Sequence, residues 1–172
     1  MIEQSVLEEV LGVAMRTGGE FAEVFAEDRR NASAVLDDGR VEELTSGRDR
    51  GAGIRVVVGE TTGFAHTADL SEAGLIAAAQ AAAAAARGGG GGTNVVALHR
   101  GTASRGYDIE TFPGDVPKAR KVELLTRADE AARSVGDAIS QVSVSYGDNR
   151  RRILVANSDG VFVEDDTVRT FF

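Results

Sequence analysis

Apolar residues recur at two spacings along the chain, and the switches between them mark out its elements. Leu7, Val10, Leu11 and Ala14 share one helical face, so the spacing predicts a helix over residues 5–17. Gly18-Gly19 supplies its stop. Over residues 21–28 the period drops to two: Phe21, Glu23, Phe25 and Glu27 alternate with Ala22, Val24 and Ala26, a strand with apolar residues in both rows. Residues 32–36 and 40–45 read as two strands flanking Asp37-Asp38-Gly39, where Asp-Gly provides the positive φ of a tight hairpin. A more apolar strand follows at 54–58 and turns at Gly59-Glu60 onto a partner at 62–66. Ser71 is placed to cap the next helix, with Leu70 and Leu75 at staple spacing across the cap. The alanines of 77–86 strongly favour helix, and their small side chains predict close packing on the sheet.

The pattern then weakens. Five consecutive glycines at 88–92 end the helix and begin a flexible connection, and 93–113 reads mostly as loop. Asp115 has the position of a cap and Pro117 that of a first-turn residue in a third helix. Val122, Leu125, Ala128, Ala132 and Val135 form its expected buried stripe, and Gly136 its stop. In the tail, Val142, Val144 and Tyr146 alternate with Ser143 and Ser145, and Gly147-Asp148-Asn149 signals a turn. Further strands at 153–156 and 161–163 flank Asn157-Ser158-Asp159-Gly160. The expected fold is α+β: a hairpin-rich mixed sheet with packed helices over 1–92, a connecting loop at 93–114, and over 115–172 the start of a second, incomplete α+β lobe. Phe171 and Phe172 call for a partner that is not expected within residues 1–172.

Composition narrows the class. The 172 residues suit one medium domain or two small lobes, and 42% hydrophobic with 27% charged residues is a globular balance. A net charge of -8 argues against a nucleic-acid partner, because phosphate binding needs a basic surface. Without cysteine, the chain forms neither disulfides nor thiolate metal sites of its own. The acidic start MIEQSVLEEV lacks a signal pattern, and the only long apolar run is alanine, so no membrane span and a cytoplasmic location are expected.

Few residues stand out chemically. Gly51-Ala52-Gly53 precedes a strand, whereas dinucleotide-binding glycines follow one and open a helix, so it reads as a structural turn or bulge. His66 and His99 are the only histidines; neither is followed by Glu and they are not one helical turn apart, so no zinc-protease helix is present. His66, Asp69 and a nearby serine lack the nucleophile turn of a hydrolase triad, and His66 reads as a polar strand-end residue. Arg150-Arg151-Arg152 reads as a hairpin shoulder balancing Asp148, Glu164, Asp165 and Asp166. Asn31-Ala32-Ser33 matches a glycosylation pattern that has no meaning without a secretion signal. Glu42, Glu43, Glu60 and Asp69 read as a solvated face, with no pair spaced for acid–base work. No catalytic, cofactor-binding or metal-binding residue is assigned.

The run from Asp49 through Gly51-Ala52-Gly53-Ile54-Arg55-Val56-Val57-Val58-Gly59-Glu60-Thr61-Thr62-Gly63-Phe64-Ala65 resembles the N-terminal region of the TldD/PmbA family. Ala22-Glu23-Val24, Asp38-Gly39-Arg40-Val41-Glu42, and Thr67-Ala68-Asp69-Leu70-Ser71 before an alanine-rich helix fit as well. Lys121-Val122-Glu123-Leu124-Leu125 and Ser158-Asp159-Gly160 extend the likeness over most of the chain. Phe64 within Thr62-Gly63-Phe64-Ala65 looks more like the TldD branch than the TldE/PmbA branch.

The resemblance implies a zinc metallopeptidase acting on small or unfolded peptides, paired with a TldE/PmbA-like subunit or with a second copy. The family's zinc motif, HExxxH completed by a cysteine, belongs to its C-terminal half. Residues 1–172 contain neither, so the expectation is an N-terminal part that supplies scaffold, cavity wall and partner surface. Zinc is then implied for the intact protein and for none of these residues. The alternative is a non-catalytic interaction module that pairs with a TldE/PmbA-like partner.

Overall fold

The computed structural model describes residues 1–86, 96–103 and 108–172. The glycine run at 88–92 and residues 93–95 and 104–107 of the connection at 93–114 lie outside the described residues. The elements are α1 (Gln4–Met15), β1 (Phe21–Asp37), β2 (Arg40–Val58), β3 (Thr61–Thr67), α2 (Glu72–Ala85), β4 (His99–Arg100), α3 (Lys118–Arg133), β5 (Ser143–Asn157) and β6 (Val161–Phe171), with a 3-10 turn at Pro113–Asp115. The strands form one six-stranded sheet in the order β3-β2-β1-β5-β6-β4. β2 and β3 run antiparallel and β4 runs parallel to β6, so the sheet is mixed and the fold is α+β, as expected.

The strands are longer than the pattern predicts. Residues 21–28 and 32–36 belong to one strand, as do 40–45 and 54–58. Polar and glycine residues that look like breaks are held extended by neighbouring strands, the usual override of local preference by pairing. Gly51-Ala52-Gly53 is therefore strand rather than the expected turn or bulge: Gly53 pairs with His66, and a Cβ at Gly53 would lie 3.0 Å from the Phe64 ring. The turn expected at 147–149 is likewise absent, and those residues lie inside β5.

The described chain divides into two compact units. The first comprises Met1–Asp28, Arg50–Ser104 and Arg152–Asp165. Leu7, Val10, Leu11 and Ala14 of α1 are fully buried there, together with Val24, Ile54, Val56, Leu75 and Leu154. Each of these leucine, valine and isoleucine side chains contributes about 1.5–3 kcal/mol of burial. α2 packs on β3 and on α1 through Ala78, Ala79, Ala82 and Ala83. The approach to β3 is close enough that a Cβ on Gly63 would overlap the Ala82 carbonyl oxygen. Small residues on both sides thus replace the aliphatic ridge of an ordinary helix–sheet contact. The Ser71 hydroxyl caps α2 by accepting from the Gly74 amide at 3.2 Å, and Leu70 packs against the same core. Glu8 accepts from the Gln4 side chain and from the Leu98 amide, which hold its carboxyl below the usual range.

The second unit comprises Arg29–Asp49, Arg105–Arg151 and Asp166–Phe172. Its hairpin turn places Asp38 at φ 49° and Gly39 at φ 76°, the paired left-handed residues of a type I′ turn. Its core is small: Ala34, Leu36, Leu125 and Tyr146, with Val144 packed alongside. α3 differs from expectation. Its N-cap is Pro117, without a side-chain bond, and Asp115 sits in the preceding 3-10 turn. Its buried residues are Lys121, Leu125 and Asp129, while Val135 is 79% exposed. Burial follows strict i, i+4, i+8 spacing, because ion pairing makes Lys121 and Asp129 buriable where composition favoured Val122, Ala128, Ala132 and Val135.

Gly63→Ala tests the close approach of α2. It is expected to lower unfolding free energy by about 1–3 kcal/mol or more in urea denaturation, since the overlap is with backbone. Gly39→Ala, strained only by its φ and open to solvent, should cost less.

Candidate functional site

A concavity lined by several charged side chains lies within the second unit. It has a volume of about 590 Å³ and is walled by Arg30, Asn31 and Ala32 of β1, Ser46, Gly47 and Arg48 of β2, Gly114 and Val116, Lys118 and Lys121 of α3, and Asp148 of β5. The β1–β2 hairpin supplies one wall because its two-residue turn holds the strands side by side. α3 supplies another because Leu125 anchors it to the core beside Leu36 and Tyr146. A pocket of this size is within the ordinary range for ligand sites, roughly 300–1,000 Å³.

At its floor, Lys121 Nζ donates to Asp148 Oδ2 at 2.6 Å, and the two side chains are only 6% and 7% exposed. The ammonium also lies 5.2 Å from the centre of the Tyr146 ring, within cation–π range. Burial, and then the neighbouring Asp148 carboxylate, push the Tyr146 phenol above its ordinary range, so it stays protonated at neutral pH. About two turns further along α3, Asp129 accepts from Arg133 Nε at 3.1 Å, and Arg133 also donates to Asp38 of the hairpin turn at 2.5 Å. Charge pairs therefore fasten α3 at both ends, with Leu125 between them.

The lining carries four cations, Arg30, Arg48, Lys118 and Lys121, against the single carboxylate of Asp148. The first turn of α3 holds no acidic residue, and its N-cap makes no side-chain bond. Positive side chains thus gather at the positive end of the helix dipole, an arrangement that an anion would relieve. This lies in a chain of net charge -8.

The residues weighed in the sequence lie elsewhere. His66 is exposed on β3 and stacks with Phe64 at a centroid distance of 6.3 Å. Asp69 accepts from the Ser71 amide at 2.9 Å, the contact that chiefly holds its carboxyl below the usual range. It shapes the entry to α2 and no triad assembles around it. His99 is exposed on β4. Among the described residues no group of three or more His, Asp or Glu is placed to hold a metal ion. Glu42, Glu43 and Glu60 are exposed, and Glu43 accepts from Ser33 at 2.6 Å. In the arginine run, Arg150 makes a two-pronged contact with Asp166, at 3.0 and 2.6 Å, and stacks 3.8 Å from the Phe112 ring centre. Glu164 pairs instead with the N-terminal ammonium and Arg100. Asn31 accepts from the Asn149 side chain.

Sequence reasoning missed Lys121 and Asp148. The signal was present: Asp148 continues the alternate row of Val142, Val144 and Tyr146, and Lys121 is four residues before Leu125. Lys121→Met, which strands the Asp148 charge, is expected to cost about 3–5 kcal/mol of stability, and Asp148→Leu a similar amount. The double variant should recover most of that loss in a double-mutant cycle followed by denaturant unfolding. Additive losses would show that the two groups do not act as a pair.

Known proteins resemble this chain in two consecutive segments. Residues 22–86 match PmbA/TldA metallopeptidase domain 1, and residues 112–172 match the PmbA/TldA metallopeptidase central domain. A metalloprotease TldD homolog from Haemophilus influenzae is 30% identical over 155 residues, covering 85% of this chain and 30% of the relative. A metalloprotease from Methanothermobacter thermautotrophicus is 35% identical over 148 residues, covering 84% of this chain and 31% of the relative. The chain thus spans about a third of the length of these curated relatives. The crystal structure of TldE from Thermococcus kodakarensis superposes with a TM-score of 0.73 at 16% identity, over 96% of this chain and 37% of that one, which shows the shared fold.

Proposed function

The chain belongs to the PmbA/TldA (TldD/PmbA) metallopeptidase family, and on that premise we propose that it supplies scaffold, cavity wall and partner surface to a TldD-like zinc metallopeptidase acting on small or unfolded peptides. One observation carries this reading: the family's first and central domains match in order along the chain. The curated relatives named TldD homologs support the TldD branch. The proposed partner is a TldE/PmbA-like subunit or a second copy, and the proposed location is cytoplasmic. No helix among the described residues is long and apolar enough to cross a membrane.

The donor set of these residues does not fit zinc. The two histidines lie on separate strands, β3 and β4, and the sequence has no cysteine and no HExxxH. No catalytic step is therefore routed through residues 1–172, and their role is to shape and to bind. The division at 92 and 115 is proposed as one between family segments. The two matched stretches support it, although the compact units draw on interleaved parts of the chain.

The test is to purify the chain alone and after co-expression with a TldE/PmbA-like subunit. Zinc far below one per chain by elemental analysis, no chelator-sensitive peptide cleavage, and co-purification with the subunit are expected. One tightly held zinc per chain with peptide cleavage would overturn the reading.

A further inference from the structure

We propose that the basic concavity beside the start of α3 is a subsite for a carboxylate-bearing peptide segment, bound through Arg30 and Lys118 above the Lys121–Asp148 floor. The site lies within one compact unit, so its walls come from a single packed body.

Three features converge on it. The first is charge. Asp148 is already matched by Lys121 at 2.6 Å, so the pair contributes little net field, and the remaining charged lining is cationic. Among the described residues, neither Arg30 nor Lys118 has an ion-pair partner. In a chain of net charge -8, a concave cationic surface focuses the local field against the overall one. The second is the start of α3: its N-cap makes no side-chain bond, its first turn holds no acidic residue, and Lys118 adds a cation where the helix dipole is already positive. Asp115, in the adjoining 3-10 turn, does not line the concavity.

The third is shape. The cations come from β1, β2 and α3, spread around a volume of about 590 Å³ rather than gathered at one point. Guanidinium groups favour planar, two-pronged acceptors such as carboxylates. Asn31 and Ser46 add neutral hydrogen-bonding groups of the kind a peptide backbone uses. Distributed cations with neutral polar groups between them suit several carboxylates on an extended chain better than one compact anion. The choice of a peptide over a small anion rests on the proposed function, whereas the anion site itself does not.

Lys118 offers a direct probe, since it lines the concavity and is exposed at the start of α3. Lys118→Glu reverses the charge there, and Lys118→Gln removes it at nearly the same size. The experiment is fluorescence anisotropy of a labelled hexaglutamate peptide with the full 172-residue chain, with hexalysine and hexaserine as controls and pyrophosphate as competitor.

Hexaglutamate is expected to bind and the controls not to. Affinity should fall at least about tenfold in Lys118→Glu relative to Lys118→Gln, and similarly in Arg30→Gln/Lys118→Gln relative to the wild type, and should weaken with added salt. Equal affinity in the Glu and Gln variants would overturn the proposal. So would no binding of hexaglutamate by the folded wild-type chain, or tighter binding of pyrophosphate than of the peptide. Circular dichroism melts of each variant confirm that loss of binding is not loss of fold. The assay needs neither zinc nor cleavage, so failure of the metallopeptidase reading and failure of the subsite are read separately.

Discussion

A two-residue turn governs most of this structure. Asp38 and Gly39 hold left-handed φ values of 49° and 76° and join strands of 17 and 19 residues. Because side chains alternate along a strand, a slip of one residue at this turn would exchange faces along both. Ala22, Val24 and Ala26 would leave the core of the first unit, and Ala34 and Leu36 that of the second. The turn itself makes few contacts, chiefly the Arg133–Asp38 pair and the Asp38 amide donating to the Val142 carbonyl. Its effect comes from fixing the register of strands that contribute residues to both compact units.

The two units hold together by different physics. The first has a large apolar core and a helix that meets its strand through alanines and Gly63, so stability comes from area and close contact. The second has four buried core residues and relies on charge pairs to seat its helix. Desolvating Lys121 and Asp148 costs energy that their short contact and the Tyr146 face return in part. What such a pair adds over two aliphatic residues is direction: it sets the rotation of α3, and therefore which side chains of its first turn face the concavity.

The elements were legible in the sequence where one force dominated. α1 was readable from four apolar positions, the hairpin from Asp-Gly, and α2 from Ser71 and the alanines, because spacing, turn chemistry and helix propensity each act locally. Strand length was not legible. Arg29 to Asn31 and Gly51 to Gly53 look like breaks, and only neighbouring strands, distant in sequence, keep them extended. The buried face of α3 was misread for a related reason. Lys121 is buried because Asp148 lies opposite, 27 residues away, and no periodicity of apolar residues reports a partnership between charges. The candidate site was hidden with it, since its cations arrive from β1, β2 and α3 and no short motif spells it out.

Family membership and site chemistry bear on different parts of the problem. The likeness to metallopeptidase domains fixes the lineage, but the chain spans about a third of its curated relatives, and among the described residues no group of His, Asp and Glu is placed to hold a metal ion. Activity in this lineage therefore cannot be assigned to any residue here by inheritance, and any role for these residues must come from what they themselves present. They present a rigid, cationic hollow on an otherwise acidic chain. Within that hollow neither Arg30 nor Lys118 has an ion-pair partner among the described residues, so a carboxylate entering it would form charge pairs without displacing any already made by those two side chains.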